Sequence, residues 1–125
     1  KDIFAQYLQP LHDTNPEKPI LFLEFGYVDS LAAPFQASAG LVDRVFSDMD
    51  GNGLDDGEEM QRNIYSALFN TMEEHPRLLS GLFFWGLQMI DDDDWARSYH
   101  LIREFTFRQK LSEEIVRAKY GEWSD

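Results

Sequence analysis

The sequence predicts an α/β fold, and three observations predict it. Two short apolar runs, Ile-Leu-Phe-Leu-Glu-Phe at 20–25 and Leu-Phe-Phe-Trp-Gly-Leu at 82–87, have strand length and are bounded by Pro or Gly. Apolar residues at 3.6-residue spacing occur before, between and after these runs. The order is therefore helix, strand, loop and helix, strand, helix, the alternation of an α/β unit.

Ile3, Phe4, Tyr7, Leu8 and Leu11 make the first dozen residues an amphipathic helix, whose last turn Pro10 should kink or shorten. Residues 12–18, with Asn15-Pro16, are a loop. The run at 20–25 follows Lys18-Pro19 and exits through Gly26, and so reads as a strand buried on both faces, as in a parallel sheet. Glu24 stands near its end. Glutamate is almost never fully buried without a partner, so this carboxylate faces something that uses its charge.

Residues 28–47 read as a long loop around Ser30, Pro34, Ser38 and Gly40, then a short helical or irregular piece with Leu41, Val42, Val45 and Phe46. Met60, Ile64, Ala67, Leu68 and Met72 mark a strong helix that ends near His75-Pro76. Gly81 bounds the second strand, and an acidic run, Asp91 to Asp94, follows it as a solvated loop. Tyr99, Ile102 and Phe105 lie at helical spacing after Trp95. Leu111, Ile115, Val116 and Tyr120 outline a last helix that Gly121 can cap.

Composition narrows the partners. The chain has 125 residues and a net charge of −12, so nucleic acid and anionic membrane surfaces are poor partners and neutral substrates or cations fit better. There is no Cys, hence no disulfide, thiolate nucleophile or Cys-ligated metal. No apolar run approaches the ~20 residues of a membrane-spanning helix. His12, His75 and His100 are far apart in the sequence and give no His-based metal or triad pattern. Lys1-Asp2-Ile3-Phe4 opens directly in a helical pattern, without an initiator Met or a signal-peptide apolar region, so the chain is expected to be part of a larger one. Two buried parallel strands joined through a helix also need neighbours on both sides. The simplest expectation is that they are the last two strands of a larger barrel.

The acidic stretch at 48–59 is the strongest motif that needs no relative to interpret. Asp48-Met49-Asp50-Gly51-Asn52-Gly53-Leu54-Asp55-Asp56-Gly57-Glu58-Glu59 follows the EF-hand loop frame, with oxygen ligands at positions 1, 3, 5, 9 and 12 and Gly at 6. Asp48, Asp50 and Asn52 would give side-chain oxygens to calcium, Leu54 its carbonyl, Asp56 a direct or water-mediated oxygen and Glu59 a bidentate carboxylate. Position 8, usually aliphatic where two such loops pair, is Asp55, so a solitary structural site is expected, similar to the lone acidic loops of extracellular bacterial proteins. The plainer alternative is a polar loop in which Asp56 and Glu59 form a capping-box-like start to the next helix.

The strand Lys-Pro-Ile-Leu-Phe-Leu-Glu-Phe-Gly-Tyr at 18–27, with Ser30 after it, resembles the seventh strand of clan A glycoside hydrolases, most closely the β-mannanase-like family 113. The stretch from Gln61 to Met72, with Tyr65 one turn on, resembles the seventh helix of that family. Gly81 to Gly86 resembles the eighth strand with its terminal Trp. Phe107-Arg108-Gln109-Lys110 and the helix after it resemble the closing segment, although Lys110-Leu111-Ser112 stands where Lys-Pro-Ala is usual.

The resemblance, which covers most of the chain except 48–59 and 91–94, implies that residues 1–125 are the C-terminal part of a (β/α)8 barrel that hydrolyses β-linked glycans with retention; the calcium loop at 48–59, read from its own motif, would be an insertion in it. The resemblance implies Glu24 as nucleophile, Trp85 as a sugar-stacking platform and Tyr27 as a lesser site-lining residue. Its partners would be a β-glycan substrate and the N-terminal remainder of the barrel.

Retention needs a second carboxyl group as proton donor, ~5–5.5 Å from the first. In clan A it follows an Asn on the fourth strand, and this chain has no Asn-Glu pair. Asp29 and Asp91 to Asp94 read as loop carboxylates without an apolar setting, so this chain alone is expected to be inactive. Trp95 and Trp123 read as packing residues. A glycan substrate and a calcium loop together suggest an extracellular, cell-surface or periplasmic setting. The rival to the enzyme is a small calcium-stabilised binding or structural module in which Glu24 is only a structural carboxylate, salt-bridged to an Arg.

Overall fold

A computed structural model of the protein describes residues 2–35, 46–86, 105–108 and 110–124. Helix α1 spans Ile3–Thr14, strand β1 Leu21–Phe25, helix α2 Asp56–Glu74, strand β2 Gly81–Phe84 and helix α3 Leu111–Trp123. The expected helix around Trp95, Tyr99 and Ile102, the Asp91 to Asp94 run, His100 and the pieces at 36–45 lie outside the described residues.

Asp2 starts α1 by accepting the Ala5 N–H at 2.9 Å, which satisfies one of the free donors of the first turn. Pro10 does not shorten the helix, for four more residues are helical after it. A proline forfeits one backbone bond. Here Thr14 Oγ1 donates to the Pro10 carbonyl at 2.9 Å, and Phe4, Ala5 and Leu8 anchor the helix on the core.

β1 and β2 pair in parallel, with Leu21 opposite Gly81, Phe22 opposite Leu82 and Phe25 opposite Phe84. Pairing runs one residue past each end, through Ser80 N–H to Ile20 O at 2.9 Å and Trp85 N–H to Phe25 O at 2.8 Å. The connection between the strands passes through α2, as the α/β order requires. The three described helices all contribute to one core on one side of the sheet: Leu8 of α1, Tyr65, Leu68 and Phe69 of α2, Val116 of α3, with Leu78 and Leu79 from the turn before β2. Phe25 enters this core and meets Tyr65 edge-on at 5.2 Å between ring centroids, while Phe84 stacks on Tyr65 at 5.6 Å. The Tyr65 hydroxyl is buried, has no hydrogen-bond partner among the described residues, and is pushed well above the usual phenol range by that burial.

Two expectations are corrected. The strands are not buried on both faces: Leu21, Leu23, Phe83 and Trp85 keep 49 to 72 % of their surface exposed, because the helices lie on the other side and nothing among the described residues covers this one. On α1 a second apolar stripe, Ile3, Tyr7 and Leu11, is likewise exposed. Gly121 does not end α3, which continues to Trp123. The last turn is held instead by Trp123 packing on Phe69 (5.6 Å) and Tyr120 (5.7 Å). No helix among the described residues is long and apolar enough to cross a membrane.

Candidate functional site

Glu24 owes its direction to an irregularity in β1. Between the paired positions Phe22 and Phe25 the first strand has two residues, Leu23 and Glu24, where the second has only Phe83. This is the arrangement of a β-bulge, which bends a strand and re-aims a side chain. Strict alternation would put Phe22 and Phe25 on opposite faces. Instead their rings lie parallel, 6.2 Å apart, on the helix side. Glu24 is exposed, beside Leu23 on the uncovered face, and makes no hydrogen bond or ion pair with any described residue. The salt bridge to an Arg that a purely structural role would bring is not formed among these residues.

Trp85 follows directly on Phe84, at the C-terminal end of the adjacent strand, and is half exposed. Gly26 lets the two strand ends approach: a Cβ there would lie 3.1 Å from Trp85 O and 3.3 Å from Trp85 Cβ. Gly86 has φ +74° and lies so close to Phe105 that a Cβ would meet that residue's Cβ at 3.0 Å. Glu24 and Trp85 thus both lie exposed at the same end of the parallel pair. Tyr27 does not join them. Its ring tilts against Phe25 at 5.5 Å and lines a separate cleft of about 840 Å³ with Phe4, Tyr7, Phe35 and Ile64. It forms no hydrogen bond with Glu24.

Behind the strand ends lies a buried polar junction, of which the sequence marked Gln61 and Lys110 only as parts of the family resemblance and not as partners. Gln61 is fully buried in α2. Its Nε2 donates to Tyr27 O at 2.7 Å and lies 3.3 and 3.4 Å from the carbonyls of Thr106 and Phe105. Its Oε1 accepts from Ser112 Oγ at 2.5 Å. Beside it Lys110 Nζ meets Asp29 Oδ1 at 3.1 Å, both side chains wholly buried. Asp29 is therefore no solvated loop carboxylate: the closing segment folds over it and brings a cation. The one sequence signal for this junction is a polar residue, Gln61, in register with the core positions Tyr65 and Leu68.

The acidic loop has its own geometry. Gly51 and Gly53 adopt positive φ, +74° and +84°, and turn the chain. Asp48 accepts the Asn52 and Gly53 N–H groups, each at 2.9 Å. Oxygens of Asp50, Asp56 and Glu59 lie within 4.8 Å of one another, so these residues form a group that could hold a metal ion. Asn52 Nδ2 lies 3.2 Å from Asp50 Oδ2 and 3.0 Å from Glu59 Oε2, while Asn52 Oδ1 accepts from Leu54 N–H at 2.7 Å. Rotating that amide would exchange its nitrogen for an oxygen facing the carboxylates. Arg62 pairs with Glu59 at 2.8 Å.

The helix after this loop starts earlier than the sequence suggested, and Asp55 starts it. Its side chain accepts the Gly57 and Glu58 N–H groups. Asp56 is not the cap; it accepts from Ser47 Oγ at 2.5 Å and Met49 N–H at 3.1 Å, closing the base of the loop. The unusual Asp at position 8 thus has a local task.

A second acidic group, Asp2, Glu74 and His75, joins residues distant in sequence. Asp2 is already engaged there by Ala5 N–H and Thr71 Oγ1. Comparison with known proteins adds no relative: no family model, curated protein or solved structure matches the chain.

Proposed function

We propose that the chain is the C-terminal part of a retaining (β/α)8 glycoside hydrolase acting on β-linked polysaccharide of the β-mannan kind, with β1 and β2 as its last two strands. The observation that carries this is the bulge-directed Glu24, which pairs with no described residue, together with the exposed Trp85, at the C-terminal ends of adjacent parallel strands. Catalytic groups of such barrels occupy that end of the strands. The bare apolar stripe of the sheet and that of α1 suit the same reading, since further strands and helices of a barrel would cover them.

In this reading the Glu24 carboxylate attacks the anomeric carbon, and water hydrolyses the resulting glycosyl-enzyme. The proton donor is a carboxyl group from the N-terminal remainder of the barrel. Trp85 offers its ring face to the C–H face of a sugar, and Tyr27 contributes packing behind the strand rather than a hydroxyl to Glu24. The test is cleavage of soluble β-1,4-mannan by the full-length protein, followed by NMR of the newly formed reducing ends. A product first released in the β-configuration is expected. Inversion, or no cleavage of mannan or other β-glycans, would overturn the proposal.

The loop at 48–59 belongs to this proposal as a solitary calcium site, extracellular in character. Asp48, Asp50, Asn52 through its rotated amide, the Leu54 carbonyl, Asp56 and Glu59 supply the hard oxygens that calcium takes, six to eight in number. Calcium is expected to give a binding isotherm by calorimetry, and at a hundredfold excess over Kd to stabilise the fold by about 2.7 kcal/mol. Glu59→Gln should weaken binding by about tenfold or more, a carboxylate ligand being lost from the first turn of α2. No heat at millimolar calcium would remove the metal.

The second reading, a calcium-stabilised binding or structural module without catalysis, is favoured by the clustering of Asp50, Asp56 and Glu59 alone. It requires calcium binding with no glycan cleavage by the full-length protein.

A further inference from the structure

We infer that Gln61 is a positioning residue that fixes Glu24 and Trp85 relative to each other, an inference that rests on the glycosidase reading above. The bulge sets the direction of Glu24. Its place relative to Trp85 depends on how the two strand ends are held, and those ends converge on one buried amide.

Gln61 bonds or approaches the carbonyls of Tyr27, Phe105 and Thr106 and the hydroxyl of Ser112, groups 34 to 51 residues away in sequence. Tyr27 lies three residues beyond Glu24. Phe105 sits against Gly86, the residue after Trp85. The segment after each strand is thus tied to the same side chain, and Gly26 brings the two segments into direct contact at Trp85. An amide nitrogen has two hydrogens, so the three carbonyls share them, and the arrangement depends on all three segments staying close. Ser112, also fully buried, fixes which end of the amide faces the carbonyls by donating to Oε1. A purely apolar core position would fill the same volume but would leave the strand ends free to drift. Small misplacements of reacting groups are expensive in rate.

The test uses the full-length protein and two variants. Gln61→Met keeps the length of the side chain and removes its hydrogen bonds; Ser112→Ala removes only the hydroxyl that orients the amide and carries the test if the first variant fails to fold. On soluble β-1,4-mannan the folded Gln61→Met protein is expected to lose about 10²-fold in kcat with KM near the wild-type value, and Ser112→Ala to lose less. Hydrogen exchange should accelerate at the Trp85 N–H, which donates to Phe25 O, while the Leu8 N–H in α1 keeps its protection.

Wild-type kcat in both folded variants, or exchange that accelerates equally at Trp85 and Leu8, would overturn the inference. Glu24→Gln is run alongside. If that variant turns over normally, or the wild type does not cleave the glycan, the nucleophile reading fails, and the exchange rate at Trp85 still decides whether Gln61 holds the strand ends.

Discussion

Glu24→Gln in the full-length protein is expected to lose turnover on β-1,4-mannan by about 10⁴-fold or more, as removal of a catalytic nucleophile does in other hydrolases. The amide has nearly the shape of the carboxylate but cannot form the glycosyl-enzyme. The same change should leave the fold almost untouched, within about 0.5 kcal/mol, as for other surface substitutions without a special contact. Glu24 is exposed and has no hydrogen bond or ion pair among the described residues, so nothing there depends on its charge. This separation matters: a structural carboxylate would show the opposite pattern, with stability lost and turnover kept. Steady-state kinetics and a urea melt on the same preparation check both halves. An active enzyme whose Glu24→Gln variant kept normal turnover would exclude Glu24 as nucleophile.

How far the sequence disclosed this site follows from the range of the interactions involved. Strand and helix types were legible because apolar period and Pro or Gly boundaries are local signals, and both strands and α2 were found on them. The bulge was not legible. Alternation applied to Phe22, Leu23, Glu24 and Phe25 puts Glu24 on the face of Phe22, and only the pairing with β2 shows that one extra residue turns it away. The ends of elements failed for a related reason. Gly121 is a fair stop signal until Trp123 finds Phe69, and Pro10 a fair breaker until the rest of α1 is anchored.

In the acidic loop three residues of the expected ligand frame, Asp50, Asp56 and Glu59, do come together, but the helix cap is not at Asp56. The residue that breaks the EF-hand pattern, Asp55, is the one that caps. Asp29 shows the limit most clearly. In sequence it is one acidic residue between Val28 and Ser30, and its burial is created by a segment some eighty residues later.

That burial makes Lys110→Met the substitution with the largest expected effect on stability. Lys110 and Asp29 meet at 3.1 Å with neither side chain exposed, at the point where the closing segment crosses the residues after β1. Burying two charges is costly, and their attraction offsets this cost only while both are present. Taking away the ammonium removes this ion pair from a carboxylate that stays in the interior, and breaking a buried pair in this way typically costs about 3–5 kcal/mol. Lys110 also precedes α3 without making a side-chain cap hydrogen bond, so methionine removes no capping interaction there.

Asp29→Asn combined with Lys110→Met is expected to be less destabilising than Lys110→Met alone, because it removes the second buried charge together with the first. Urea melts of the wild type, the single variant and the double variant measure both differences. A single variant within about 1 kcal/mol of wild type, the ordinary range for a surface ion pair, would mean that the junction is wetter than its geometry indicates. The double variant serves a second purpose. Because it restores charge balance without restoring the contact, any activity it still lacks at full stability measures what the junction does for the placement of Glu24 and Trp85, apart from what it does for folding.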